Sequence, residues 1–206
     1  MRPLLLTPVV LSLAACHLAV FRKADDAAVT MKMAASTIDT LQSTAGRARD
    51  ELGQLLSSDA KLAEQYASFV KSSTQFDADI ERVTKSVNEV EAATGNFLAG
   101  YAATREEIKN PDLRAAMLLR KEQIERQLAD LKVKASALVA AAGGLAQEFG
   151  DLRRFLAANL NAQAVTAASV VVAGLERRAA EIDDAARGMK IELTDLAASL
   201  ESQTGR

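Results

Sequence analysis

One cysteine, one histidine, no tryptophan and three prolines are all that the 206-residue chain offers of these residue types. A single cysteine excludes a framework of intrachain disulfides. One cysteine with one histidine falls short of the common zinc sites, so no metal and no cofactor is expected. Two of the prolines, Pro3 and Pro8, stand in the first ten residues, which leaves Pro111 alone in the remainder. Aromatic residues make up only 4%, so the 49% hydrophobic fraction is carried mainly by alanine, leucine and valine. A composition poor in proline and aromatics and rich in Ala, Leu, Glu, Lys, Arg and Gln favours helices over strands. Neither sign of charge dominates. With the first 15 residues set aside, 24 basic residues face 27 acidic ones, and no basic block interrupts the mixture, so no nucleic-acid partner is expected. No glycine-rich phosphate loop, nucleophile elbow or metal motif is present, and no catalytic residue is assigned.

What is there begins at the first residues. Met1-Arg2 supplies a positive charge, and Pro3 to Leu13 is apolar apart from Thr7 and Ser12. That run is shorter than the roughly 20 residues needed to span a bilayer and has the layout of a signal peptide. It ends Leu13-Ala14-Ala15-Cys16, which resembles the lipobox of bacterial lipoproteins. The resemblance implies cleavage between Ala15 and Cys16, a diacylglyceryl group on the thiol, and acylation of the new amine. Two or more acyl chains anchor a protein stably where one is marginal. His17, in place of the aspartate that commonly marks inner-membrane retention, implies the outer membrane, facing the periplasm. The expected organisation is a signal peptide over 1–15, a lipidated N-terminus and tether over 16–23, and a helical bundle over 24–206.

Beyond residue 24, apolar residues recur at alternating steps of three and four, the pattern of a buried helix face. One stripe runs from Met31 through Ile38, Leu41 and Leu52 to Leu55. A second runs from Leu62 through Phe69, Phe76, Val83, Val90 and Phe97 to Ile108, with both tyrosines on it and eleven of fourteen positions apolar. A third runs from Ile124 to Leu156, and a fourth from Leu175 to Leu200. No segment alternates with a period of two. The expectation is an all-α protein, an elongated antiparallel bundle or coiled coil of about four long helices near 24–57, 59–109, 111–158 and 162–203. Ser57-Ser58-Asp59 suits a helix start. Asn110-Pro111-Asp112 suits one better, with Asn110 as cap and Pro111 at the first helical position. Asn159-Leu160-Asn161 is expected to end the third helix in a left-handed conformation. Gly143, Gly144 and Gly150 mark either close packing or a kink.

Phe155-Leu156-Ala157-Ala158-Asn159-Leu160-Asn161-Ala162-Gln163-Ala164, set between two long helical stretches behind a lipobox, resembles a family of bacterial lipoproteins catalogued only as a domain of unknown function. The resemblance implies a lipid anchor, heptad-rich helices and a last helix after the Asn-Leu-Asn-Ala element. It brings no activity with it. From Phe155 to Leu175 there is no charged residue, which makes Asn159, Leu160, Asn161, Val170, Val171 and Val172 a candidate interaction tip. Five polar side chains within it, Asn159 and Asn161 among them, argue for a packed helix end over a spanning segment. The pairs Asp25-Asp26, Glu106-Glu107 and Asp183-Asp184 point about 100° apart on a helix and read as solvated faces. The leading expectation is a lipid-anchored periplasmic rod with a structural or protein-interaction role, through a partner helix or homo-oligomer, and no small-molecule substrate. The alternatives are a membrane-active bundle that inserts the 155–175 hairpin, and a helical carrier of a small ligand or lipid.

Overall fold

The computed structural model describes the backbone of residues 9–57 and 61–201, and side chains from Val20 onward within those ranges. Most of the expected signal peptide therefore lies outside the described residues, as do Ser58 and Asp59 and the side chains of Ala15 and Cys16. The elements are α1 (Val9–Ser57), α2 (Leu62–Glu107), α3 (Pro111–Ala158), α4 (Ala162–Ala168), a 3-10 turn (Ser169–Val171) and α5 (Val172–Glu201). The last three form one nearly continuous rod, so the chain folds as four rods with no strand among the described residues. This is the expected all-α bundle.

Each rod packs on two others. α1 lies against α2 and α5, and α3 lies against the same two. Ion pairs between Asp39 and Lys190, Glu91 and Lys132, and Arg153 and Asp77 each span 2.7 Å and mark antiparallel neighbours. All eight positions of the first stripe are buried, as are all eight of the fourth. A single core cluster joins the four stripes. Alanine at seam positions 24, 27, 28, 34 and 48 of α1 leaves little bulk between it and its neighbours. At Gly100 of α2 a Cβ would stand 3.3 Å from the Lys23 amine and 3.6 Å from Val20, so α1 and α2 nearly touch there. The aromatic anchor is Phe149, which meets Phe69 edge-on at 5.7 Å and Phe76 at 5.9 Å between ring centroids.

Asn110 behaves as expected. Its side-chain oxygen accepts from Asp112 N at 2.9 Å and Leu113 N at 3.3 Å, with Pro111 opening the helix. The turn is clamped by Glu106, which receives Arg105 at 2.7 Å and Arg114 at 3.1 Å. Its hydrogen bond from Arg105, with the charges of Arg114 and Arg105, holds the Glu106 carboxyl below the usual carboxylate range.

Two expectations need correction. α1 runs helical from Val9, so the segment 16–23, expected as a tether, is helix. Its apolar and alanine-rich residues carry no helix breaker after Pro8. The described α2 begins at Leu62, after Lys61 in the left-handed conformation (φ 60°), and residue 59, the expected start, lies outside the described residues. Neither Asn159 (φ −148°) nor Asn161 (φ −147°) is left-handed. The third break comes from a cap instead: Asn161 is extended and accepts from Ala164 N at 2.9 Å, which starts a new helix. α3 passes through Gly143, Gly144 and Gly150 without a break. At Gly144 a Cβ would come within 2.9 Å of the Arg178 guanidinium, a close approach across the α3–α5 seam.

Because Phe149 bridges two aromatic partners in the core, Phe149→Ala is expected to cost about 3–5 kcal/mol. Urea unfolding should report this as a lower midpoint with an unchanged slope.

Candidate functional site

One end of the bundle holds the α3–α4 turn, and the charge-free segment 155–175 folds over it. Its side chains divide between two faces. Leu156, Ala164, Val165, Ala168 and Leu175 are buried in the bundle, whereas Phe155, Val170 and Val171 are exposed. Of the expected tip residues, Asn159 and Asn161 are exposed and Leu160 and Val172 half-buried. Asn159 and Asn161 serve the turn, Asn161 as the cap already described and Asn159 as acceptor for Asn161 N at 3.1 Å.

The local cause of the outward turn of Val170 and Val171 lies in the backbone. After Ala168 the α-helix tightens into the 3-10 turn, where Ser169 Oγ donates to the Thr166 carbonyl at 2.7 Å. A 3-10 turn advances by three residues and not 3.6, so the buried stripe is lost for that turn and resumes at Leu175. Three β-branched valines in sequence make the switch easier, because they are mildly unfavourable in an α-helix.

Between the exposed valines and α3 lies an open groove of about 480 Å³. Leu152 and Phe155 form one wall, Val170 and Val171 the other, and Gly174 lies at its edge. A Cβ built on Gly174 meets nothing within 4 Å, so the absent side chain leaves the space open. Glu148 bounds the α3 side. Its Oε1 receives Arg178, which raises the guanidinium pKa, while its Oε2 is buried with no donor among the described residues. Asp151, on the same side, pairs with Arg154. The groove thus offers apolar contact area, with no nucleophile beside a base among its lining residues.

A second feature escaped the sequence reading. Ser72, Asp79 and Ser86, seven residues apart, are buried on a polar line of α2 beside its apolar stripe. The Asp79 side chain is only 1% exposed. It accepts from Thr44 of α1 at 2.6 Å, Gln75 at 3.1 Å and Arg82 at 2.5 Å. A polar groove of about 490 Å³, with Ser36, Thr40, Ser43 and Arg47 on its walls, runs beside it. With both oxygens occupied by protein donors, Asp79 ties α2 to α1 through Thr44. The seven-residue spacing of small polar residues was the available signal. The acidic pairs Asp25-Asp26, Glu106-Glu107 and Asp183-Asp184 are exposed. No group of His, Cys, Asp or Glu suited to a metal occurs among the described residues, and no described helix is long and apolar enough to cross a membrane.

The division of 155–175 into two faces is open to measurement. Val165→Ala removes a buried side chain and is expected to cost about 2 kcal/mol. Val170→Ala, at a position 82% exposed, should change stability by no more than about 0.5 kcal/mol. Equal losses in thermal unfolding would contradict the assignment. Set against protein-family models, curated proteins and solved structures, the chain matches none.

Proposed function

We propose that the chain is a lipid-anchored helical rod of the bacterial envelope, held to the outer membrane at Cys16 and docking another envelope protein at the opposite end. The observation that carries the reading is the pairing of two features at opposite ends of one rod. The only cysteine follows Leu13-Ala14-Ala15 behind an apolar run, and the groove walled by Phe155, Val170 and Val171 lies beside Val172, next to the far end of α1. Exposed apolar side chains around a concavity are the usual mark of a partner site.

The occupant suited to the groove is an apolar side chain on a partner helix, matching the walls of Leu152, Phe155, Val170 and Val171. A membrane-active hairpin is less well supported, since Leu156, Val165 and Leu175 are already committed to the core. Chemistry is not part of the proposal, because the buried carboxylate is fully engaged in holding two helices together.

Two measurements test it. Mass spectrometry of the mature protein should find acyl mass on residue 16. A photo-crosslinker at Val170 should capture a discrete partner in cells, and Gly174→Leu, which fills the groove, should abolish that product. Gly174→Leu replaces a helical glycine at a site where a Cβ meets nothing, so it should be as stable as the parent or more so, by up to about 1 kcal/mol. A crosslink that survives in this variant places the partner elsewhere.

A further inference from the structure

The fourth rod is held to its neighbours in two different ways along its length. From Arg178 onward, polar side chains tie it across both seams. On the α1 side, Asp183 accepts from Gln42 at 2.8 Å and Lys190 reaches Asp39 at 2.7 Å. On the α3 side, Arg178 pairs with Glu148 and Glu192 with Lys134. Before Leu175 no such tie occurs among the described residues. The stretch from Asn159 to Gly174 has no charge, and each side-chain hydrogen bond it makes stays inside it.

Apolar burial is thin there as well. α4 lies on α1 and α3 and commits to the core only Ala164, Val165 and Ala168. None of the six residues from Ser169 to Gly174 is buried. Past Leu175, and along α1 from Ala24 to Leu55, a buried residue returns at least every four positions. Both flanks of the gap are open. On the α3 side is the groove already described, and on the α1 side one of about 380 Å³ between Gly53 and Val172. A Cβ on either Gly53 or Gly174 would meet nothing within 4 Å.

The backbone changes at the same place. Ser169–Val171 is a 3-10 turn inside a rod, and its hydrogen-bond geometry is poorer than that of the α-helix on either side. Passing from 3-10 to α over three residues turns the chain by about 60° and shortens it by about 1.5 Å. A change at the turn therefore moves α4 bodily, while the ion pairs from Arg178 onward hold the rest of the rod. Off its seat, a helix of seven residues has no stability of its own.

We propose that residues 159–171 form a lid on the far end of the bundle, hinged at the 3-10 turn, which opens as a unit while the long stripes stay packed. Opening at less than the cost of global unfolding is expected where buried apolar contacts are few. The movement carries Ala167, Ala168, Val170 and Val171 away from Leu152 and Phe155, and so widens the groove between them. That the widened groove admits the docked partner rests on the docking reading above, whereas the lid itself does not.

Hydrogen exchange of the full-length protein, read by fragmentation mass spectrometry, tests the lid. Amides of residues 166–173 are expected to exchange about 100-fold faster than those of 179–197 in the same rod. They should do so at one common opening equilibrium that is insensitive to urea well below the unfolding midpoint. Protection that climbs steadily from 166 to 173 would mean fraying from the turn, and protection equal to that of 179–197 a fixed rod. Either result overturns the lid. Photo-crosslinking from position 170 in cells tests access. Val165→Ala removes the largest buried side chain of α4 and leaves the groove walls intact. By populating the open form it should raise the yield of crosslinked partner about threefold or more, with circular dichroism confirming the fold. An unchanged yield beside fast, uniform exchange leaves the lid standing and overturns its control of docking. No crosslink in either protein sinks the docking reading, and with it the lid's control of docking, while the exchange data still decide whether the lid opens.

Discussion

The constraint on which the structure depends is the burial of four apolar stripes in one shared core. None of the rods could be stable alone at these compositions, since most helical stability in water comes from packing an amphipathic face. Here every rod packs on two others, and Phe149 joins Phe69 and Phe76 across the α2–α3 seam. Surface ion pairs such as Lys85–Glu89 or Arg187–Asp184 decorate the rods and add little, being largely exposed.

Alanine and leucine packing alone specifies a register weakly, because a slide by one heptad would superpose similar residues. Asp79 narrows that ambiguity for α1 and α2. A carboxylate buried at this depth is tolerated only where it has donors; Gln75 and Arg82 supply them from α2 itself, and Thr44 supplies the one from α1. A slide by one heptad in one direction would set Glu51 in the place of Thr44, charge against charge, whereas the opposite slide would bring Thr37 there. In this respect Asp79 resembles a polar residue at a core position of a coiled coil, which fixes alignment at some cost in stability.

Much of the architecture was legible because heptad stripes are long-range repeats that a sequence displays directly. Met31 to Leu55 and Leu175 to Leu200 are buried throughout, and Asn110-Pro111 starts a helix as its chemistry dictates. The misplaced features are local. Asn159 and Asn161 are compatible with either a left-handed stop or an extended cap, and only the neighbouring backbone selects the cap. The segment 16–23, read as a tether, is part of α1, where Val20 extends the line of Ala24, Ala27 and Met31 against the core. The groove was half legible. The absence of charge over 155–175 marked the segment, but the 3-10 turn that directs Val170 and Val171 outward has no signature beyond three successive β-branched residues. Asp79 was hidden because its neighbours on the polar line are serines, which read as surface.

The unbroken run of α1 from Val9 to Ser57 has a mechanical consequence. Residue 53, beside Val172 at the far end, is about 55 Å from residue 16 along a helix with no hinge between them. Anything gripping the distal groove is then held at a set standoff from whatever fixes residue 16, as by a caliper. Tilting such a helix at one end must appear as displacement at the other.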